Sequence, residues 1–283
     1  MSISPRPRLG FVLMTIVGMV AACSSAAASD PTAISGKFSV SAGRSLYVEC
    51  HGSGSPTIVM DAGLGNTHAT WSAVAPKVSP LTRTCTYDRA NLGSSDAAPK
   101  PRSSVDVVAD LRALLQSASI APPYILVGHS FGGINMRLFA AAHPAEVAGL
   151  VLVDPTPTGF PDIECKLVDA TLCAKLRSGF DPLNNPDGLD LAQSGVEIAQ
   201  AGSLPMVPLI VLAATNHQQA AITDSGVQQQ IEARWQQEET ALAASVPGGT
   251  VTVVSSGHDI QTLYPEAVVT AITAVVGKAR AKS

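Results

Sequence analysis

Aromatic residues fill only 4% of the 283 positions, and charged residues only 14%. With so few rings, any core must rest on Ala, Val, Leu and Ile. The low charge and the 46% hydrophobic content exclude a disordered chain. Long hydrophobic runs are also missing: Leu9–Ala22 is shorter than the ~20 residues a membrane helix needs. No segment is strongly basic. The net charge is −4 and the Gly277–Lys282 tail reads as a solvated helix end, so nucleic acid is not an expected partner. There is no internal repeat, and no His/Cys/carboxylate cluster at ligand spacing, so no metal site is expected.

What the N-terminus does contain is an export pattern over residues 1–22. Arg6 and Arg8 give a positive start, the apolar run follows, and small residues come next. Val20-Ala-Ala-Cys23 resembles the lipobox of bacterial lipoproteins, in which the cysteine is lipidated and becomes the new N-terminus. Several acyl chains on Cys23 would anchor the protein to the outer face of the cell membrane. The alternative is cleavage after Ala26-Ala27-Ala28, which discards Cys23 and releases a soluble product. Residues 23–35 read as a tether. Of five cysteines, spending Cys23 leaves an even set: Cys50, Cys85, Cys165 and Cys173. Outside the cytoplasm that suggests two disulfides, with three connectivities open, against the alternative of free buried thiols.

From residue 36 to 283 the chain reads as one α/β domain. Gly36–Gly52 alternates around Ser-Ala-Gly-Arg, as a hairpin does. Pro56–Gly63, Thr82–Asp88, Tyr124–Gly128, Ala148–Asp154, Val207–Ala214 and Gly249–Ser256 read as strands, most of them continuous apolar runs. Val105–Ala118, Phe131–Pro144, Asp224–Ser245 and Glu266–Arg280 read as helices between or after them. Strands without alternation are buried on both faces, which implies a mostly parallel sheet covered by helices. The stretch 155–206, rich in Pro, Gly and Asn, breaks the rhythm and reads as a lid over the strand ends.

Tyr124-Ile-Leu-Val-Gly-His-Ser-Phe-Gly-Gly133 sets Ser130 between Gly128 and Gly132, just where a buried strand ends. A nucleophile lifted above a sheet needs a sharply bent strand-to-helix turn. That bend leaves no room for side chains two positions before and after it. Here the sequence resembles the α/β-hydrolase superfamily, over most of the chain after Gly36 and closest to exported bacterial members with paired cysteines near the second and fourth strands. Gly-His-Ser130-Phe-Gly-Gly is similar to its nucleophile elbow. Tyr87–Asp96 is similar to a segment following its fourth strand, with Asn91 in place of the usual glycine. Ser256-Gly-His258-Asp-Ile is similar to its terminal histidine loop.

The resemblance implies an eight-stranded sheet, no cofactor, and a Ser–acid–His triad. Ser130 is the expected nucleophile. Among His51, His68, His129, His143, His217 and His258, the last lies on the loop where the family keeps its base. His129 reads as a packing residue, His143 as a helix-end residue, and His68 as a solvated loop histidine that could reach the pocket. Trp235 reads as core rather than ligand platform. Many members carry the acid after the seventh strand, where this chain has Ala-Thr-Asn-His-Gln-Gln (214–219) and no carboxylate. Asp154, at the end of the sixth strand, is the expected acid, with Asp224 as the alternative; Asp259 points away. The oxyanion donors are expected to be the N–H groups of Phe131 and of Leu64, whose loop has Ala62 where the family has His. The architecture implies Cys50 opposite Cys85, and Cys165 paired with Cys173 in the lid. The function expected is a serine hydrolase, a carboxylesterase for small or medium acyl esters. Lactonase, thioesterase, amidase and perhydrolase chemistry stay open, as does a non-catalytic ligand- or cell-wall-binding lipoprotein.

Overall fold

A computed structural model describes residues 33–217 and 222–282, with residues 1, 2 and 4 besides. The export segment 1–22, apart from those three positions, Cys23 and the tether up to residue 32 lie outside the described residues. No helix among the described residues is long and apolar enough to cross a membrane.

In chain order the elements are β1 (Ile34–Ser39), β2 (Ser45–His51), β3 (Thr57–Asp61), α1 (Ala75–Val78), β4 (Thr84–Tyr87), α2 (Ser104–Ser117), β5 (Tyr124–His129), α3 (Phe131–Ala142) and β6 (Val147–Val153). Then come α4 (Asp162–Cys165), α5 (Ala170–Gly179), α6 (Leu191–Gln200), β7 (Leu209–Asn216), α7 (Ser225–Ala244), β8 (Thr250–Gly257), α8 (Ile260–Leu263) and α9 (Pro265–Arg280). The strands form one eight-stranded sheet in the order β1-β2-β4-β3-β5-β6-β7-β8. β2 runs antiparallel to β1 and β4, and every other pairing is parallel. This is the α/β-hydrolase fold.

The continuous apolar runs are explained by the two cores. On β5, Leu126 faces a core with α2 and α3 residues such as Leu111, Leu114 and Phe139, while Ile125 and Val127 face Val268, Ile272 and Val275 of α9. Period-two strand geometry sends neighbouring residues to opposite faces, so with both faces covered every position must be apolar. Each fully buried Leu, Ile or Val contributes about 1.5–3 kcal/mol. Helix starts are capped by acids: Asp169 accepts from the Leu172 N–H, Asp190 from Gln193, and Asp224 from Gly226 and Val227.

Cys50 and Cys85 are direct partners across β2 and β4, with their sulfurs at disulfide distance. So are the sulfurs of Cys165 and Cys173, on α4 and α5. Asn91 sits at φ 73°, which accounts for the glycine it replaces: the left-handed region is cheapest for Gly, and Asn tolerates it next best.

Candidate active site

The four neighbouring parallel strands β5, β6, β7 and β8 end at one rim of the sheet. Each delivers one side chain there: Ser130, Asp154, His217 and His258. Ser130 is held at φ 53°, ψ −122°. A Cβ on Gly128 would lie 2.5 Å from the Gly132 carbonyl oxygen, and one on Gly132 would lie 2.4 Å from that of Asp61. Both positions therefore require glycine. Asp154 is also at positive φ, 45°, with its N–H donating to the Leu212 carbonyl at 2.7 Å. Strained backbone at two residues of one site costs energy that the surrounding sheet must overcome.

Ser130 Oγ lies 2.8 Å from His258 Nε2, and His258 Nδ1 lies 2.5 Å from Asp154 Oδ2. A carboxylate oxygen only accepts, so Nδ1 carries the proton and Nε2 is free to accept from the serine. Thr156 Oγ1 approaches Ser130 Oγ from the other side at 3.2 Å. Asp154 is fully buried. Its Oδ1 accepts from the Ala214 N–H at 2.7 Å, and its Oδ2 accepts from both His258 and His217. Burial would raise its pKa, but the bonds from His217 and His258 hold it well below the usual carboxylate range.

Phe131 and Leu64 both line the cavity in front of Ser130. Arg89, itself buried, shapes the Leu64 loop. Its guanidinium donates to the Ala62 and Gly63 carbonyls at 2.6 Å each, and to Asp61 and Asp187. Asp187, from the 155–206 excursion, also accepts from the Gly65 N–H at 3.1 Å. The excursion is thus tied to the loop by a buried ion pair as well as packed above it.

The cavity holds about 900 Å³. Leu64, Phe160, Leu176, Phe180 and Leu191 give it apolar walls, mostly from the excursion, with Lys175 and Asp259 among its polar lining residues. Trp235 is buried as expected of a core residue, yet it also lines this cavity. The expectation is corrected to that extent, because its α7 face turns toward the strand ends rather than away from them.

Of the other candidates, Asp224 caps α7, and Asp259 stands exposed at the N-cap of α8. His68 bonds Asp88 at 2.8 Å and packs on Tyr47, outside the cavity lining. His143 ends α3. His129 donates from Nε2 to the His258 carbonyl at 3.1 Å, so it steadies the histidine loop. Burial, then the charge of His258, pushes the His129 pKa down to about 4, which leaves it neutral.

His217, Glu232 and Glu239 drew no role from the sequence. His217 Nε2 meets Asp154 Oδ2 at 2.7 Å, its Nδ1 meets Glu232 Oε2 at 2.8 Å, and its backbone N–H donates to Glu232 Oε1. A signal existed. The strand-end logic that pairs Asp154 with Ser130 also pairs the residue after β7 with Asp154. Glu232, Trp235 and Glu239 fall at i, i+3 and i+7, on one face of α7. Asp154, His217 and His258 offer three ligand-type atoms within 4.8 Å, but those atoms are engaged with one another, and we assign no metal to them.

Glu239 is 1% exposed; burial first, then the charge of Asp154, raises its pKa to about 10. The folded state therefore keeps a proton that the unfolded chain releases near 4.5, and stability falls as pH rises between these values. Glu239→Gln is expected to raise Tm by an amount that grows with pH, as read by thermal unfolding at about pH 5, 7 and 9.

A family model described as alpha/beta hydrolase fold matches residues 56–184. The chain is 36% identical over 104 residues to YqjL, an uncharacterized protein of Bacillus subtilis (strain 168); the match covers 37% of this chain and 41% of that one. The chain thus spans less than half the length of the curated relatives it matches. Among solved structures, a hydrolase from Pseudomonas aeruginosa PA01 superposes with a TM-score of 0.63 at 20% identity, covering 86% of this chain and 98% of its own. A thermophilic esterase from Thermogutta terrifontis superposes at 0.62 and 20% identity, covering 87% and 98%. At such identities the likeness is one of fold.

Proposed function

We propose that this chain is a serine hydrolase, and specifically a carboxylesterase that cleaves small or medium acyl esters through an acyl-enzyme. The observation that carries the reading is the unbroken line of hydrogen bonds Ser130 Oγ–His258–Asp154 opening onto a cavity with apolar walls. His258 Nε2 takes the serine proton as Oγ attacks the ester carbonyl, and Asp154 holds the ring and stabilises the imidazolium. Negative charge building on the carbonyl oxygen is met by the N–H groups of Phe131 and Leu64, each worth a few kcal/mol in such a site. His258 then protonates the departing alcohol, and water, activated the same way, releases the acid. The kinship in fold with an esterase supports this reading. Export with a lipid anchor on Cys23 belongs to the same proposal, and two cysteine pairs at disulfide distance favour an oxidising compartment.

The test is labelling with a fluorophosphonate probe, followed by hydrolysis of nitrophenyl esters of graded acyl length. Labelling of the native protein, lost in Ser130→Ala, is the expected result. A folded protein that neither labels nor hydrolyses any ester of the series overturns this reading and favours a non-catalytic ligand- or cell-wall-binding lipoprotein.

A further inference from the structure

We propose that His217 is a positioning residue, held as an imidazolium between Asp154 and Glu232. The group behind His258 is then a carboxylate–imidazolium–carboxylate relay rather than a lone aspartate. This inference rests on the hydrolase reading only in what it says about rate.

The geometry argues for it first. Both ring nitrogens of His217 face carboxylate oxygens, at 2.7 Å on the Asp154 side and 2.8 Å on the Glu232 side. A neutral imidazole has one N–H, so one nitrogen would turn its lone pair on an oxygen that can only accept. Protonation satisfies both contacts. The Glu232 carboxylate grips the residue twice, since its other oxygen accepts the His217 backbone N–H. Trp235 stacks on the ring, with centroids 4.1 Å apart and planes at 27°, which suits a cation. Burial would lower the His217 pKa, but the bond and charge of Asp154, then those of Glu232, hold it above the ordinary imidazole value.

The surrounding charges give the arrangement its purpose. His129, on the strand-end turn of β5, is neutral, and Glu239 on α7 keeps its proton up to about 10. Asp259 on the α8 side and Lys175 on α5 line the cavity that His217 also borders, while the ring nitrogens pair with Asp154 and Glu232. The charges paired in line behind His258 are therefore Asp154, His217 and the partly exposed Glu232, with one net negative charge. Asp154 can serve two histidines because Glu232 neutralises the second. His217 shares Asp154 Oδ2 with His258, and its contact there helps to hold the carboxylate toward His258.

The sign of the kinetic effect follows. His258 must be unprotonated to act, so activity rises with pH along an acid limb. Removing the His217 cation, whose ring centroid lies 6.1 Å from that of His258, favours protonated His258. In His217→Gln the acid limb of kcat/KM is expected to move about one unit to higher pH. Packing loss alone would lower the rate without moving the limb. Independently of activity, ¹⁵N NMR of the native protein should show both His217 ring nitrogens still protonated at a pH above the ordinary imidazole value of about 6.5. In Glu232→Gln, a change at a partly exposed side chain that leaves the fold intact if His217→Gln does not, the imidazolium should titrate at lower pH. One unprotonated His217 nitrogen in the native protein at that pH overturns the inference. So does an acid limb unmoved in an active His217→Gln. If the native protein neither hydrolyses nor labels, the hydrolase reading falls, and the nitrogen shifts still decide the relay.

Discussion

Asp154→Asn is expected to lower kcat about 10³- to 10⁴-fold, the scale at which wrong-tautomer substitutions act in Ser–His–Asp sites. The reason lies in how fully the carboxylate is used. One oxygen accepts the Ala214 N–H and the other accepts two imidazole N–H groups. An amide has one oxygen. If it takes the Ala214 side, its NH₂ faces His258 and forces the proton onto Nε2, against the serine. If it takes the histidine side, two donors meet at Ala214 inside a fully buried site. Either arrangement leaves a buried donor unsatisfied, which costs about 1–3 kcal/mol in stability besides. Steady-state kinetics on a nitrophenyl ester, beside thermal unfolding, separates the two effects. A loss of less than about tenfold with the fold intact would mean that Asp154 does not orient His258.

Arg89→Met is expected to lose both stability and activity. Arg89 is buried and so are its partners Asp61 and Asp187, so the change leaves two carboxylates without their cation and two loop carbonyls without their donor. Breaking a buried pair by removing one partner costs about 3–5 kcal/mol, or roughly 6–20 °C in Tm for a domain of this size. Activity should fall further than stability requires, because the Leu64 N–H depends on the loop that Arg89 holds. Arg89→Lys should rescue little, since one ammonium cannot replace a fork bonded to four groups. A thermal melt within about 2 °C of the native protein's would show that Arg89 is dispensable to the loop.

The fold and most of the site were legible because they depend on local rules. Apolar runs without alternation announced a sheet covered on both faces. The glycines around Ser130 announced a bend with no room for Cβ atoms, and the contacts at Gly128 and Gly132 are of that kind. Asp154 was legible through parallel order, since the ends of β5 and β6 must emerge side by side. The substitutions in the family-like segments were legible only as departures. Asn91 kept the left-handed turn of the glycine it replaces, and with no carboxylate in the loop after β7 the carboxylate that meets His258 is Asp154, after β6.

The chain order alone thus carried the strand pattern, the elbow, and the residues that a parallel sheet must bring to one rim. Contacts from helix and excursion side chains could not be read that way. His217 meets Asp154 and Glu232 through the register of β7 and the rotation of α7. Asp187 reaches Arg89 across 98 residues of chain. Such contacts have no periodicity in sequence, because packing among distant elements sets them, and they build the cavity walls in front of Ser130.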